Sequence, residues 1–279
     1  MKLNSEKWFT EVYPDDGCAL SLELSDKQHE EQTAWQKLEI YQTTGFGRLM
    51  LLDGCIMLTS RDNFIYHEMM THPVLCMHPA PENVLIIGGG DCGCLREVLK
   101  HPPIKHVHQV DLDERVTWAS EKYFPELCES NNDPRADLSF TDGVAFIEQA
   151  KSASYDIIIV DSTDPVGQAR RLYAEEFYRA CFTGLSDNGI LVAQSESPLF
   201  HRDLIQSMRS RMADAGFNDA ATLFFPQCTY PSGWWSASMA FKAEKPSNYR
   251  SVDIETKYYN NVIHQAAQAM PQFMLDTDK

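Results

Sequence analysis

The run Val84-Leu85-Ile86-Ile87-Gly88-Gly89-Gly90-Asp91 decides the fold. Four successive apolar residues, three of them branched at Cβ, make a short strand buried on both faces. The glycines directly after it allow a tight turn in which a ligand can approach the backbone. Leu95, Val98 and Leu99 then recur at helical spacing. Strand, glycine turn and helix together open a nucleotide-binding α/β unit. Further along the chain, branched strands are expected at 107–110, 137–140, 157–160, 190–193, 221–225 and 236–241. They alternate with helical stretches, the pattern of a Rossmann-like, doubly wound parallel sheet.

On the amino-terminal side the chain changes character. Residues 1–65 read as β-rich: Leu38, Ile40 and Tyr41 lead into the turn Thr44-Gly45-Phe46-Gly47-Arg48. Leu49, Leu52 and the Asp53-Gly54 turn follow, and then 55–59. Glycine turns between short apolar runs signal hairpins. A helical pattern with Phe64, Tyr66, His67, Met69 and Met70 is expected to be interrupted or kinked at Pro73. It ends before His78-Pro79-Ala80-Pro81, a natural boundary turn. The division drawn is a small N-terminal β-hairpin domain, 1–65, and a catalytic α/β domain, 66–279. The tail, with Tyr258, Tyr259, Ile263 and Ala266-Ala267, reads as a docked element.

The 279 residues are 43% hydrophobic, enough for a substantial core without a metal or disulfide staple. A formal charge of −16 argues against nucleic acid or an anionic membrane surface as partner. The start, Met1-Lys2-Leu3-Asn4-Ser5-Glu6, lacks a secretory signal, and no apolar run is of spanning length, so a cytoplasmic protein is expected. Eight cysteines, at 18, 55, 76, 92, 94, 128, 181 and 228, show no framework spacing and read as free thiols. Cys92-Gly93-Cys94 lacks the second pair or nearby histidines that a metal site needs, so no metal is expected. His101, His106 and His108 flank Pro102-Pro103 and are expected at the surface.

In open α/β sheets the ligand crevice lies at the carboxyl ends of the strands. Here an aspartate follows each of four successive strands: Asp91, Asp111, Asp142 and Asp161, with Asp164 three residues beyond the last. One such aspartate is ordinary turn chemistry; a series points to a ligand. Asp111 lies at about the spacing from the glycines at which an acid holds ribose hydroxyls. Asp91 stands where a pyrophosphate would meet the helix N-terminus and would repel it. The expected ligand is therefore a nucleoside without phosphates, carrying positive charge, such as an adenosyl sulfonium compound. The pair Asp161 and Asp164 can hold an ammonium group and accept a proton. A primary amine, with a pKa of about 10.4 in lysine, must lose a proton before it can attack carbon.

Over nearly its whole length the sequence resembles the polyamine aminopropyltransferases, particularly bacterial spermidine synthases. The matching segments include Gly45-Phe46-Gly47-Arg48, Leu52-Asp53-Gly54, Phe64-Ile65-Tyr66-His67-Glu68-Met69-Met70 and Gly88-Gly89-Gly90-Asp91 with Arg96-Glu97-Val98. They continue with Val110-Asp111-Leu112-Asp113, Asp142-Gly143, Asp161-Ser162-Thr163-Asp164-Pro165, Val192-Ala193-Gln194, Thr229-Tyr230-Pro231-Ser232-Gly233 and Glu255-Thr256-Lys257-Tyr258-Tyr259. Many methyltransferases share such a glycine loop, and the fold implied is class I methyltransferase-like.

The resemblance implies that Gln36, His67, Asp111, Asp142, Gly143 and Gln168 hold the thioadenosine part, with Asp111 on the ribose and Asp142 near the adenine. It implies that Asp91 and Asp161 bind the aminopropyl ammonium. Asp164, Tyr66, Gln194 and Tyr230 would line the diamine channel with them, and Asp161 would be the base. The implied reaction moves an aminopropyl group from decarboxylated S-adenosylmethionine, a co-substrate and not a cofactor, to putrescine. Spermidine and methylthioadenosine result. A homodimer or homotetramer is implied as well. Four positions depart from the family pattern: Cys92 for glycine, Asn63 for an acid, Gln168 for proline and Met57 for glutamine. Acceptors such as cadaverine or agmatine, a methyltransferase, and a catalytically silent polyamine-binding relative are the competing readings.

Overall fold

The computed structural model describes residues 4, 7–163, 167–251 and 253–275, and of residues 167 and 168 the backbone alone. Five antiparallel strands follow one another in chain order across a first sheet: β1 (Trp8–Tyr13), β2 (Cys18–Gln32), β3 (Lys37–Thr43), β4 (Arg48–Leu52) and β5 (Cys55–Thr59). The tight turn from β4 to β5 is Asp53-Gly54, with φ of 50° and 82°. Positive φ at both central residues is what lets a two-residue hairpin match the strand twist. Side-chain alternation gives the sheet two covered faces. Leu38, Ile40, Met50, Leu52 and Leu58 pack against Val116, Ala119, Phe124 and Leu127 of the larger sheet's helical layer. Leu49 and Leu51 turn the other way, onto Leu22 and Ile56.

Helix α1 (Asn63–Met77) follows. It runs unbroken through Pro73, where a kink or interruption was expected. Every residue from Tyr66 to Met77 is buried, and packing on this scale outweighs the one backbone bond that proline removes.

The larger sheet has seven strands: β6 (Asn83–Gly88), β7 (His106–Asp111), β8 (Ala136–Phe140), β9 (Tyr155–Asp161), β10 (Leu185–Gln194), β11 (Asp219–Pro226) and β12 (Trp234–Phe241). Their order is β11-β12-β10-β9-β6-β7-β8. The core strands are parallel, as expected. β12, however, inserts antiparallel to both neighbours, so the sheet is mixed. Helices α2 (Gly93–Leu99), α3 (Glu114–Tyr123), α4 (Gly143–Gln149), α5 (Glu175–Gly184) and α6 (Arg202–Asp214) connect the strands. One face packs Val84, Ile86, Ile157 and Ile159 against α1 and α2. The other packs Leu85, Ile87, Ile158 and Val160 against α4, α5 and α6. The chain leaves β6 in one direction through β7 and β8, then returns to β9 on the other side. The crevice at this reversal is where an open α/β sheet binds its ligand.

The tail is docked. Glu68 of α1, 1% exposed, accepts hydrogen bonds from the backbone amides of Lys257, Tyr258 and Tyr259 at 2.8, 2.8 and 2.7 Å. Two short helices, α7 (Asn261–Ala266) and α8 (Gln272–Leu275), follow. His101 is not at the surface as expected. It is fully buried, its Nε2 lies 2.9 Å from Nδ1 of His72, and burial lowers its pKa to about 3. The Pro-Pro turn it precedes is folded back onto α1, and that long-range contact leaves no mark in local sequence. His106 is exposed and His108 half-buried. No helix among the described residues is long and apolar enough to cross a membrane.

Candidate active site

The glycine loop is built around the end of β9. Gly88 and Gly89 have φ of 85° and 69°, and the Gly89 amide donates to the Asp161 carbonyl at 2.8 Å. A Cβ at Gly88 would lie 2.0 Å from that carbonyl oxygen, so only glycine fits. Cys92 adopts φ 67°, ψ 7°. Cys92 thus holds a left-handed backbone of the kind that favours glycine. Its buried thiol lies 3.7 Å from the Gly90 carbonyl.

This loop and α1 bring four of the expected residues together. Tyr66 donates from its hydroxyl to Oδ1 of Asp161 at 2.7 Å. One helical residue further, His67 Nε2 lies 3.1 Å from Oδ2 of Asp91, whose Oδ1 accepts the Gly93 amide at 2.7 Å. Oδ2 of Asp161 is buried without a hydrogen-bond partner. The two carboxylates are driven apart electrostatically. For Asp161, burial and then the charge of Asp91 raise the pKa, against the opposing pull of His67, Cys94 and Tyr66. Burial also disfavours ionised Asp91, yet the charge and hydrogen bond of His67 and the Gly93 amide outweigh it and hold Asp91 below its ordinary value. His67 is raised in turn: burial works against its charge, and Asp91 more than compensates. Opposed shifts in neighbouring acids are what a site needs to hold a cation on one and take a proton on the other.

Around the corner of the sheet, Asp111 ends β7. Its carboxylate accepts the Asp113 amide at 2.8 Å, but burial dominates and raises its pKa to about 6. Gln36, on the β2–β3 hairpin, donates to Oδ2 of Asp113 at 3.1 Å, so it borders this strand end through Asp113. Asp142 caps α4, accepting the amides of Val144 and Ala145. Its other oxygen accepts Arg171. Burial opposes ionisation there too, but Arg171 and the two amides keep Asp142 below its usual range. At Gly143 a Cβ would lie 2.5 Å from Cγ2 of Ile87, so helix and strand meet closely beneath the crevice.

A narrow cleft continues from Asp161 between the two sheets, lined by Glu11, Met57, Tyr66, Thr163, Gln194 and Tyr230. Tyr230 stands edge-on to Tyr66 with centroids 5.8 Å apart, and its hydroxyl donates to the Met57 carbonyl. Met57 borders the cleft, and its side chain packs against the core cluster of Leu58, Val116 and Phe124. Asn63 does not line the cleft: its amide is tied to the Thr59 carbonyl at 2.7 Å. Asp164 and the side chain of Gln168 lie outside the described residues. A roomier cleft at the opposite end of the strands, bordered by Cys76, Phe241, Glu244 and Arg250, contains none of the strand-end acids. Among the described residues no group of three or more metal-ligating side chains comes together.

Sequence reading missed Arg171, Tyr173 and Glu11. Arg171 and Tyr173 belong to the helical turn Gly167–Tyr173, and their partners lie far away in sequence. Glu11 looks like one more acid on a polar edge strand.

Sheet order, reversal point and acid-lined strand ends define a class I methyltransferase-like α/β protein, with a narrow cleft beside those acids whose one charged lining residue, among the described residues, is Glu11. Family models match twice: the "Spermine/spermidine synthase domain" over residues 63–251 and the "Spermidine synthase tetramerisation domain" over residues 7–60. The chain belongs to the spermine/spermidine synthase family. A polyamine aminopropyltransferase of Methylococcus capsulatus is 57% identical, covering 98% of this chain and 97% of that one. That of Thioalkalivibrio sulfidiphilus is also 57% identical, over 95% of both. Among solved structures, a spermidine synthase in complex with the transition-state analogue AdoDATO superposes with a TM-score of 0.92 at 33% identity, over 98% of this chain and 94% of that one. The spermidine synthase of Thermotoga maritima gives 0.89 at 33% identity, over 95% and 92%.

Proposed function

We propose that the protein is a spermidine synthase that transfers the aminopropyl group of decarboxylated S-adenosylmethionine to putrescine. One observation carries this reading. Asp161, with one buried oxygen lacking a partner, lies close enough to Asp91, an acid paired with His67, for the charge of Asp91 to raise its proton affinity. A cationic ligand stabilised by two carboxylates, one of which takes a proton, is what aminopropyl transfer requires.

In this reading Asp111 holds the ribose, and Asp142 with Gly143 borders the adenine. Gln36, His67 and Gln168 complete the thioadenosine pocket. Asp91 and Asp161 hold the aminopropyl ammonium, while Tyr66, Asp164, Gln194 and Tyr230 line the path of the diamine. The acceptor nitrogen gives its proton to Asp161, directly or through water. Its lone pair then forms the new C–N bond as the C–S bond breaks. The bonding pair stays on sulfur, whose positive charge disappears, so the leaving methylthioadenosine is neutral. Orientation in the cleft supplies much of the acceleration. Intact S-adenosylmethionine would set its carboxylate against Asp91 and Asp161, which disfavours methyl transfer. The N-terminal sheet, matched by a tetramerisation domain, is proposed to join copies into a homodimer or homotetramer in the cytoplasm.

The test is incubation of the purified protein with decarboxylated S-adenosylmethionine and putrescine, cadaverine or agmatine, followed by mass spectrometry. Methylthioadenosine with spermidine is expected. Product only with another amine reassigns the acceptor. Binding of methylthioadenosine without turnover on any amine overturns the enzymatic reading.

A further inference from the structure

We infer that Tyr173 is a positioning residue for the amine acceptor, fixing the polarity of the Gln194 amide that faces the cleft. The inference rests on the proposed acceptor path and goes beyond it by assigning a residue outside the cleft lining.

Gln194 ends β10 and is buried. Its Nε2 donates to the Tyr173 hydroxyl at 2.7 Å and to Oε1 of Glu196 at 3.3 Å. Its Oε1 accepts the Glu196 amide at 3.1 Å. Both amide hydrogens therefore point into protein, and the carbonyl oxygen keeps one lone pair. An ammonium or amine donor can use only that lone pair. The flipped amide would present hydrogens to a cation and repel it. The Tyr173 hydroxyl in turn donates to the Thr163 carbonyl at 3.4 Å. With its proton engaged there, the hydroxyl oxygen serves as an acceptor and takes the Gln194 N–H.

Tyr173 is itself held firmly. It is 4% exposed and its ring belongs to the core formed with Phe177 and Tyr178. Its carbonyl accepts Nη1 of Arg211 in α6 at 2.7 Å. One side chain thus ties the loop after β9, the end of β10 and the α5–α6 layer to a single geometry. Thr163 and Gln194 both line the cleft, whereas Tyr173 lies behind them. A role in orientation should therefore appear in the acceptor's constants alone.

The experiment is steady-state kinetics of Tyr173→Phe with both substrates varied. The KM for putrescine should rise about 2- to 12-fold, the span of one net hydrogen bond, with the KM for decarboxylated S-adenosylmethionine unchanged. In a Gln194→Ala background the same substitution should add nothing, since the amide it orients is gone. An unchanged acceptor KM, an equal rise in both constants, or additive effects with Gln194→Ala overturns the role. If Tyr173→Phe does not fold, Arg211→Gln loosens the same anchor and should raise the same constant less. Wild-type protein without turnover defeats the proposed function. Calorimetry of putrescine binding to the methylthioadenosine-loaded protein then reads Tyr173 separately, with weaker binding in Tyr173→Phe expected and equal binding overturning the inference.

Discussion

Replacing Gly93 by alanine places a methyl group where the His67 ring stands. A Cβ there would lie 2.2 Å from Cε1, 2.3 Å from Nδ1 and 2.4 Å from Nε2, far inside contact distance. His67 is 1% exposed on α1, so the ring cannot swing into solvent. Overpacking of a well-filled core costs about 1–3 kcal/mol. Displacing the ring by the ångström or more needed also stretches its 3.1 Å bond to Asp91 beyond hydrogen-bond range. The half-lost partner of a buried carboxylate adds about 1–3 kcal/mol. At about 2–4 °C per kcal/mol for a chain approaching this size, the unfolding midpoint should fall on the order of 10 °C. The same variant should change the titration of His67 followed by NMR. In the parent protein Asp91 holds the imidazole above its ordinary value; with the pair broken, burial dominates and the value drops. Gly93→Ala combined with His67→Ala removes the clash, so the double variant should lose less than the sum of the singles. A Gly93→Ala protein that melts within 1–2 °C of the parent, with His67 titrating unchanged, would refute this account of the helix crossing.

Asp161→Asn should lower kcat by about 10²–10⁴-fold, the worth of positioned proton transfer, with methylthioadenosine affinity nearly unchanged in calorimetry; equal kcat removes Asp161 as base. The raised pKa of Asp161 makes the rate climb with pH through a range above the ordinary carboxylate value. With Asp111 at about 6, its carboxylate is the form that accepts ribose hydroxyls. Methylthioadenosine affinity should therefore weaken as pH falls below about 6, by up to tenfold per unit. Asp111→Asn should abolish that slope, and an affinity flat from pH 5 to 8 would exclude Asp111 from the ribose. Glu68→Ala strands the backbone amides of Lys257, Tyr258 and the buried Tyr259, the last worth about 1–3 kcal/mol. Tryptic cleavage at Lys257 should accelerate by orders of magnitude, and a resistant tail would show that other contacts hold it.

The parallel strands β6, β7, β9 and β10 were legible because each is a short run rich in branched residues between turn residues, and burial on two faces favours such runs. β2 was not resolved beyond a β-rich region. It carries Asp26, Lys27, His29, Glu30 and Glu31 in succession, and its pairing with β3 is interrupted by two register shifts, so no clean alternation survives. The antiparallel entry of β12 was also hidden, since strand direction is set by the connection and not by composition. At the site, Asp91, Asp111, Asp142 and Asp161 could be read from position alone, because strand ends are fixed by the strands. Arg171 and Tyr173 could not. Their partners lie 29 and 21 residues away, and only the folded loop brings them within reach.

The asymmetry between Asp91 and Asp161 has a cause that neither aspartate supplies. Two half-buried carboxylates that feel each other's charge would share a single proton, since ionising the second works against the charge of the first. A site in that condition offers one negative charge, to be used either for holding an ammonium or for receiving a proton. His67 breaks the tie because it touches only one of them. As an imidazolium it leaves Asp91 fully ionised, and it does so over a definite window. The depressed value of Asp91 contributes stability that is present above about pH 3.9 and is lost as pH falls through its folded value. The raised value of His67 contributes stability that is present below about pH 6.5 and is lost as pH rises through its own. From pH 4 to 6.5 both hold, and above His67's raised value the pair weakens gradually. Asp161, bonded to a neutral tyrosine hydroxyl, feels the His67 charge without a hydrogen bond to it, and burial with the charge of Asp91 outweighs that pull and leaves it the higher proton affinity. The adjacent residues Tyr66 and His67, on one turn of α1, thus set two chemically identical side chains apart in proton affinity.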